Sequence, residues 1–308
     1  MATTRAFTDL VGCRVPIQCA SLGGPIGTAP LAAAVSEAGA LGMIANPSSA
    51  AEVEQLVQDA RARTAQPIGI GFLIPFVAAD AVEAAAASVP VVEFFYGDPD
   101  RDLVSLASAD GASVGWQTGS DTEARAAAAA GCDYVIAQGI EAGGHVRGTH
   151  HLDDVLAETL AAVDVPVVAA GGVGTAERVS ALLAAGAAAV RVGTRFVAAQ
   201  EADAHPDYVA RLLAASSQDT VLTEIFANGW PDAPHRVLRS AAAAAEAFDG
   251  AVVGLVGDSE IGVFSPRPAT RDVRGEIAAM ALYAGESVDH VTRIQPAAEI
   301  VAELTATT

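Results

Sequence analysis

The sequence predicts an α/β fold, a (β/α)8 TIM barrel followed by an appended C-terminal substrate-side subdomain. Eight short, strongly apolar runs alternate with Ala-rich helical patterns, and all of them fall within about the first 215 of 308 residues. Nearly continuous apolar runs are typical of parallel strands that are covered on both faces. Eight strands, each followed by a helix, indicate a TIM barrel. A doubly wound sheet is the alternative, because a strand count does not establish closure.

The predicted strands recur at regular intervals along the chain. They are residues 15–21, 41–45, 67–74, 91–97, 112–118, 133–139, 165–172 and 188–196. Two of the helical patterns between them open on Ser49–Glu52 and Ser120–Glu123, which match the capping box. Gly39, Gly131 and Gly186 follow helical patterns, where a left-handed C-cap is expected.

The regular alternation ends near Ser216. The stretch 220–240 is irregular and contains Pro, Gly and Trp, and residues 276–288 show an amphipathic pattern that predicts a helix. No linker rich in Pro and Ser separates these segments from the barrel. We therefore predict a barrel over 1–215, and over 216–308 an appended segment with a closing helix packed on that barrel.

Composition restricts the classes of partner. The chain has 17 basic and 37 acidic side chains, a net charge of −20, which disfavours nucleic acid and anionic membrane surfaces. No apolar run reaches membrane-spanning length, and the first 17 residues lack the apolar core of a signal peptide. Cys13, Cys19 and Cys132 are too few for a disulfide framework. We expect a soluble cytoplasmic protein, and the oligomeric state, including a homodimer, is left open.

Glycines follow the seventh and eighth predicted strands. Gly171, Gly172 and Gly174 end the seventh, and Gly193 precedes Thr194 after the eighth. Bare backbone N–H groups near helix N-termini bind phosphate, and these two loops form the usual phosphate site of a TIM barrel. The alternative is that the glycines only make tight turns. A Rossmann fingerprint is a poor match, because the third glycine is missing.

Polar side chains follow other strands at the same end of the barrel. Ser21, Gln117 and Gln138 are candidates for contacts with a flat heterocycle, although a single amide more often satisfies a loop. His145 comes just after the sixth strand and directly after Gly143–Gly144, which leave space beside its ring. An imidazole there is a candidate general base, because its ordinary pKa lies near working pH. A loop histidine without a function is the alternative.

Two further chemistries are weaker candidates. His150 and His151 follow His145, but their spacing matches no standard zinc site and no nearby Cys completes a ligand set. Cys19 ends the first strand and could serve as a nucleophile, yet no partner base is indicated, so a core thiol is favoured. We therefore predict no metal.

Several motifs resemble those of one enzyme family. They include PIQCASLGG (16–24), AQGIEAGGHVRG (137–148), VPVVAAGGVGTAERV (165–179) and AAVRVGTRF (188–196). These segments, and most of the chain around them, resemble the nitronate monooxygenases, which are FMN-dependent TIM-barrel flavoenzymes. The E-A-G-G-H run is specific to this superfamily but not to one activity.

The resemblance implies FMN as cofactor and a nitronate or nitroalkane as substrate, oxidised by dioxygen to a carbonyl compound and nitrite. His145 would take the α-proton of a neutral nitroalkane, and the glycine loops would hold the phosphate. The implied cofactor-binding residues are Ala20, Ser21, Gln117, Gln138, Gly143, Gly144, Gly171, Gly172, Gly193 and Thr194.

The chain departs from the family pattern at two places. Cys19–Leu22 stands where many members have Ala-Pro-Met, and Gly71 stands where many have Asn. Both changes lie beside the expected flavin and put substrate preference in doubt. Trp230, Phe226 and Tyr283 are candidates to shape the pocket, although isolated aromatics more often serve packing; the role of His235 is left open.

Two other functions are alternatives. The first is an FMN-dependent NAD(P)H oxidoreductase, similar to enoyl-acyl carrier protein reductase II or to a quinone reductase. The second belongs to another class, a flavin or phosphate-ligand binding protein without turnover. The candidate base His145 disfavours the second.

Overall fold

The structure, a computed structural model, describes residues 6–306. Residues 1–5 and 307–308 lie outside the described range. They are the outer ends of the two predicted domains, and residues 1–5 also belong to the N-terminal stretch tested for a signal peptide. The strands are β1 (Ile17–Cys19), β2 (Gly42–Ala45), β3 (Ile68–Leu73), β4 (Val91–Phe95), β5 (Ser113–Thr118), β6 (Tyr134–Gln138), β7 (Gly144–His145), β8 (Val167–Ala170), β9 (Ala189–Val192), β10 (Thr220–Thr223), β11 (His235–Leu238), β12 (Val252–Val256), β13 (Ser259–Gly262) and β14 (Val273–Gly275). The α-helices are α1 (Phe7–Val11), α2 (Ala29–Glu37), α3 (Ala50–Arg61), α4 (Ala79–Ser88), α5 (Arg101–Ser108), α6 (Asp121–Ala130), α7 (Leu152–Ala162), α8 (Ala176–Ala184), α9 (Thr194–Val197), α10 (Pro206–Leu213), α11 (Arg239–Ala247) and α12 (Ala297–Leu304).

Eight parallel strands form the barrel. Their order is β1-β9-β8-β6-β5-β4-β3-β2, and a parallel bridge between Gln18 and Leu41 joins the two ends of the sheet. Each of these strands falls within one of the eight predicted runs, so the predicted TIM barrel is confirmed. The bridge supplies the closure that the strand count could not.

Glycines inside the strands allow large side chains to fill the barrel interior. A Cβ at Gly115 would collide with the ring of Tyr134, and a Cβ at Gly69 would collide with the side chain of Met43. Phe7 from α1 covers the amino-terminal end of the barrel, where its ring packs edge-on against Tyr134 with centroids 5.3 Å apart. Filled interiors of this kind leave the opposite, carboxyl end for a site.

The helix ends follow the predicted signals with one difference. Ser49 and Ser120 accept hydrogen bonds from the backbone N–H groups of Glu52 and Glu123, as a capping box requires. The reciprocal half is wrong, because each glutamate reaches one residue further back: Glu52 Oε2 accepts from Ser48 N, and Glu123 Oε2 from Gly119 N. The three predicted C-cap glycines all have left-handed φ values, between 101° and 111°.

The segment after the barrel strands forms two small antiparallel sheets. Their orders are β10-β11-β7 and β13-β12-β14, so the first sheet includes two residues from the loop after β6. No helix in the described part of the chain has both the length and the apolar character needed to cross a membrane.

The predicted helix over 276–288 is wrong. Only 3-10 turns form, at Ile277–Ala279 and Glu286–His290, and the residues between them run alongside β11. Leu238 N donates to Leu282 O at 2.9 Å, and Ala284 N donates to Arg236 O at 3.3 Å. The stretch is buried on several sides, and its backbone bonds to a neighbouring strand instead of to itself.

The last helix in the described chain is α12, which lies after the predicted 276–288 pattern and was not predicted from the sequence. It packs against α2, α8 and α9 and thereby lies in the ring of helices around the barrel, although it ends the described chain. The Arg195 guanidinium after β9 pairs with Glu303 on this helix. The division of the chain at residue 215 stays a prediction.

Candidate flavin and substrate site

One cavity opens at the carboxyl ends of the barrel strands. Its volume is about 1200 Å³ including the open mouth, and residues from all eight barrel strands or the loops after them line it. The candidate base and all the implied cofactor-binding residues are among these lining residues: Ala20, Ser21, Gln117, Gln138, Gly143, Gly144, His145, Gly171, Gly172, Gly193 and Thr194. Tyr283 also lines the cavity, whereas Gly174, Phe226 and Trp230 do not. Residues predicted from separate motifs thus share one surface.

Two glycine-containing loops form one side of the cavity. Gly171 and Gly172 follow β8 with φ values of 116° and 66°, which side chains other than glycine rarely adopt. Gly193 and Thr194 follow β9 and begin α9. Thr194 Oγ1 accepts a hydrogen bond from Gly285 N at 3.0 Å, which ties this loop to the appended segment.

Ser21 follows β1, the strand that pairs with β9. A Cβ on Gly71 would collide with its hydroxyl, so Ser21 occupies the space that a side chain at position 71 would need. Its Oγ is buried, yet no protein group bonds to it. The two departures from the family pattern are therefore linked in space, since the small residue at 71 makes room for Ser21.

A buried charged network forms the floor of the cavity. The Arg191 guanidinium pairs with the Glu93 carboxylate, and both side chains are less than a tenth exposed. Arg191 Nη1 also donates to Gln117 Oε1 at 2.7 Å and Nε to Gln18 Oε1 at 3.0 Å. Tyr134 OH donates to Glu93 Oε1 at 2.6 Å. The two charges neutralise each other below the cavity, and the Gln117 carbonyl is committed to Arg191.

Gln138 holds the loop that carries the candidate base. Its Nε2 donates to the backbone carbonyl of His145 at 2.9 Å, and its Oε1 accepts from Arg147 N at 3.4 Å. β7 in the same loop pairs antiparallel with β11, which sets His145 opposite His235. Gln138 therefore holds the loop through its carbonyl and one N–H of its amide, and its contact with a heterocycle stays a prediction.

The two glycines before His145 serve different purposes. A Cβ on Gly143 would collide with the backbone of Gly285, so glycine is required there for close packing of two chain segments. A Cβ on Gly144 would meet no atom within 4 Å, but the residue has a φ of 78°. Only Gly144 has the open space beside the ring that the sequence suggested for both.

His145 is an imidazole enclosed by other rings. Trp230 stacks on it with ring centroids 3.7 Å apart and an interplanar angle of 22°. Tyr96 and Tyr283 lie at 5.5 and 5.6 Å. Burial, and to a lesser extent the neighbouring His235, lowers the pKa of His145 to about 3. The ring is therefore neutral at working pH, and its buried Nε2 has no protein partner.

His235 lacks a nitrogen that could accept a proton freely. Its Nδ1 lies 2.8 Å from the Ala233 carbonyl, and its Nε2 accepts from Phe226 N at 3.3 Å. The carbonyl fixes the proton on Nδ1, so protonation of Nε2 would break the bond to Phe226. Burial lowers the pKa of His235 as well. His235 is a neutral structural residue, and Phe226 packs against it.

The weaker sequence candidates lie apart from this chemistry. Burial raises the pKa of the Cys19 thiol to about 12, so it is not a thiolate nucleophile at neutral pH. His150 Nδ1 lies 3.3 Å from Glu158 and His151 Nδ1 lies 3.0 Å from Glu141. Within residues 6–306, no group of three or more His, Cys, Asp or Glu side chains is arranged to hold a metal ion.

Comparison with known proteins identifies the family. The family model described as nitronate monooxygenase matches residues 4–87 and 79–307. The chain belongs to the nitronate monooxygenase family. It is accordingly an FMN-dependent oxidoreductase, and the resemblance seen in the motifs is confirmed.

Individual relatives within and around this family carry different names. A nitronate monooxygenase of Pseudomonas aeruginosa is 35% identical over 270 residues, which span 71% of this chain and 76% of that protein. The solved structure of nitroalkane oxidase from Streptomyces ansochromogenes matches with a TM-score of 0.79 and 31% identity, over 98% of this chain and 97% of the other. The solved structure of FabK from Thermotoga maritima matches with a TM-score of 0.82 and 31% identity, over 98% of this chain and 95% of the other.

Sequence reasoning missed the charged floor of the cavity. Glu93 and Arg191 are the single charged residues within β4 and β9, two strands that are otherwise apolar. Two opposite charges in strands of one closed barrel indicate a buried pair, since an unpaired charge there is costly. That signal was present in the sequence. The stacking of Trp230 on His145 had no such signal, because residue spacing does not show which rings meet.

Proposed function

We propose that this member of the nitronate monooxygenase family uses FMN to oxidise nitroalkanes and alkyl nitronates with dioxygen, giving a carbonyl compound and nitrite. His145 is the base that takes the α-proton from a neutral nitroalkane. The observation that carries the proposal is the position of an unpartnered, buried imidazole nitrogen in the same cavity as two glycine loops suited to phosphate.

The residues present fit FMN. The glycine loops after β8 and β9 offer backbone N–H groups and helix N-termini to a phosphate. The buried Ser21 hydroxyl lacks a protein partner and is available to a ligand, as is the NH₂ group of Gln117, which bonds to no other protein group in the described chain. When bound, FMN would supply the electron transfer and the reaction with dioxygen, while the protein binds, orients and moves the proton.

The cavity favours a small, neutral and largely apolar substrate. Its charged lining residues are Glu93 and Arg191, which pair with each other, and most of the remaining lining residues are apolar or aromatic or are glycines. No unpaired side-chain cation among the lining residues is available to an anion. A neutral nitroalkane therefore suits the cavity better than a highly charged molecule, and its oxidation requires a base.

Proton transfer is the step that this chain's own residues perform. The α C–H bond of the nitroalkane breaks, its electron pair moves into the nitro group to give the nitronate, and the proton goes to Nε2 of His145. Burial lowers the pKa of the imidazole, which keeps the ring neutral before the step but makes it a weaker base than the exposed histidine assumed from the sequence. Gln138 and the pairing of β7 with β11 hold the loop in place during transfer.

The test compares wild-type enzyme with the His145→Asn variant. We expect flavin absorbance to be retained, oxidation of a neutral nitroalkane to fall by about 10²–10⁴-fold, and oxidation of the preformed nitronate to change much less. His150→Asn, a change at an exposed histidine outside the cavity, serves as the matched control. Equal nitroalkane rates in wild type and His145→Asn would remove the base assignment, and a colourless protein that FMN cannot reconstitute would overturn the proposal.

The likeness to FabK favours a second candidate, an FMN-dependent NAD(P)H oxidoreductase. The same cavity would then accept a nicotinamide in addition to an acceptor substrate. Addition of NAD(P)H without oxygen distinguishes the two: rapid bleaching of the flavin absorbance supports the oxidoreductase, and an unchanged spectrum supports the monooxygenase.

A further inference from the structure

Trp230 has a closer relation to His145 than packing alone requires. The indole and the imidazole lie nearly parallel with centroids 3.7 Å apart, which is a face-to-face stack. Tyr96 approaches the imidazole edge-on, at 79°, and Tyr283 is tilted at 49°. One face of the imidazole is thus covered by the indole.

Other aromatic rings hold the indole itself. Phe76 and Tyr96 contact it edge-on, with centroids 5.1 and 4.8 Å away. Trp230 is only 7% exposed, and its backbone N–H closes a turn on Ala227 O at 3.0 Å. The position of the indole is therefore fixed before any ligand binds.

The charged side chains near His145 form ion pairs with other residues or are exposed to solvent. The Arg147 guanidinium pairs with Glu123 and Asp98 and lies over the ring of Tyr96. Glu224 is exposed, and its charge acts on Tyr96 and His235. His235 is neutral, and Tyr96 and Tyr283 have pKa values raised by burial. In the described chain no carboxylate bonds to the His145 ring. A positive charge on this ring would therefore be stabilised by the surrounding aromatic rings and not by a carboxylate.

We propose that Trp230 is a positioning residue for proton transfer: its indole face fixes the His145 ring and stabilises the positive charge that this ring gains. The inference rests on the proposed role of His145 as base. An aromatic face is electron-rich and attracts a cation, most strongly when both are shielded from water. Burial opposes the charged ring, and the stacked indole offsets part of that penalty in the place of a carboxylate.

The step needs no further reactant. The α-carbon loses a proton, His145 Nε2 gains it, and the negative charge formed resides on the nitro group. The indole exchanges no atom or electron and only changes the energy of the charged ring. A cation–π contribution of the usual size corresponds to about two- to thirtyfold in rate.

The experiment compares FMN-loaded wild type with Trp230→Phe and Trp230→Leu. Phenylalanine keeps a smaller aromatic face, whereas leucine keeps apolar volume without one. We expect nitroalkane oxidation to fall about threefold in Trp230→Phe and at least about tenfold in Trp230→Leu. Turnover of the preformed nitronate should change less than about twofold, and the isotope effect with an α-deuterated nitroalkane should rise. Phe248→Leu, which removes a partly buried aromatic ring outside the cavity lining, is the control and should match wild type.

An NMR arm tests the stack without turnover. The ring protons of His145, assigned by their loss in His145→Asn, should show an upfield ring-current shift that persists partly in Trp230→Phe and disappears in Trp230→Leu. Absence of that shift in wild type, equal losses in the two Trp230 variants, or a parallel loss of nitronate turnover would overturn the inference. If instead His145→Asn retains wild-type nitroalkane oxidation while the stack is present, the proposed base is what has failed.

Discussion

At the scale of single residues, the cavity is marked by polar atoms that lack partners. Five buried side-chain polar atoms in the described chain have no hydrogen bond, and two of them, Ser21 Oγ and His145 Nε2, belong to cavity-lining residues. Buried polar groups in folded proteins nearly always have a partner. These two atoms, on residues that line one cavity, therefore indicate a ligand that supplies the missing bonds.

The pair Glu93–Arg191 gives a prediction for stability. Glu93→Met leaves the Arg191 guanidinium buried without its counter-charge, and we expect it to lower the free energy of unfolding by about 3–5 kcal/mol. Urea denaturation followed by circular dichroism measures the change. The double variant Glu93→Met/Arg191→Met removes both charges and should recover most of the loss. A single variant as stable as wild type would show that the two charges are not coupled.

At the scale of secondary-structure elements, the segment after the barrel strands positions the loop that carries His145. β7 and β11 pair over two residues, and Gly143 packs against Gly285 on the other side of the same loop. The loop that carries His145 is thus held between two chain segments that lie about 90 and 140 residues further along the sequence. Its geometry depends on contacts that form only after the barrel and the appended segment come together.

The difference between Gly143 and Gly144 can be tested by matched substitutions. Gly144→Ala places a methyl group in open space and costs only the strain of a left-handed φ, about 1–2 kcal/mol. Gly143→Ala forces the backbone of Gly285 to move, and we expect a cost of about 3 kcal/mol together with loss of nitroalkane oxidation. Thermal unfolding and initial rates provide the measurements. A larger effect at 144 than at 143 would contradict the assigned packing.

The barrel elements were predictable from sequence because their signals are local. An apolar run such as 67–74 is compatible with little else than a covered strand, and Ser49 or Ser120 caps a helix between two such runs. The stretch 276–288 was not predictable in this way. Its apolar residues have a helical spacing, but they are buried by several neighbours at once, and β11 takes its backbone hydrogen bonds. Likewise, the site residues were found by motif and position, whereas the Trp230 stack depends on the fold of an irregular loop.

At the scale of the whole molecule, the last helix of the described chain packs against the helix that follows the first strand. α12 contacts α2 and α8, the helices that follow β1 and β8 in the chain. The residues between β9 and α12 therefore extend over the carboxyl end of the barrel and return. This arrangement explains how one chain supplies both the strand-end residues that line the cavity and the aromatic residues Trp230 and Tyr283 beside His145.

The buried imidazole also makes folding stability depend on pH. The pKa of His145 is about 3 in the folded protein and near 6.5 when the side chain is not buried, so between these values the unfolded chain binds a proton that the folded protein does not. The contribution to stability is complete above pH 6.5 and is lost as pH falls towards 3; the lowered pKa of His235 acts in the same direction. From about pH 7 to about pH 5.5, wild type should lose about 1 kcal/mol more than His145→Asn. Urea denaturation at both pH values measures this difference, with His150→Asn as the surface control. If wild type and His145→Asn lose the same amount, His145 titrates normally in the folded protein and is not enclosed as described.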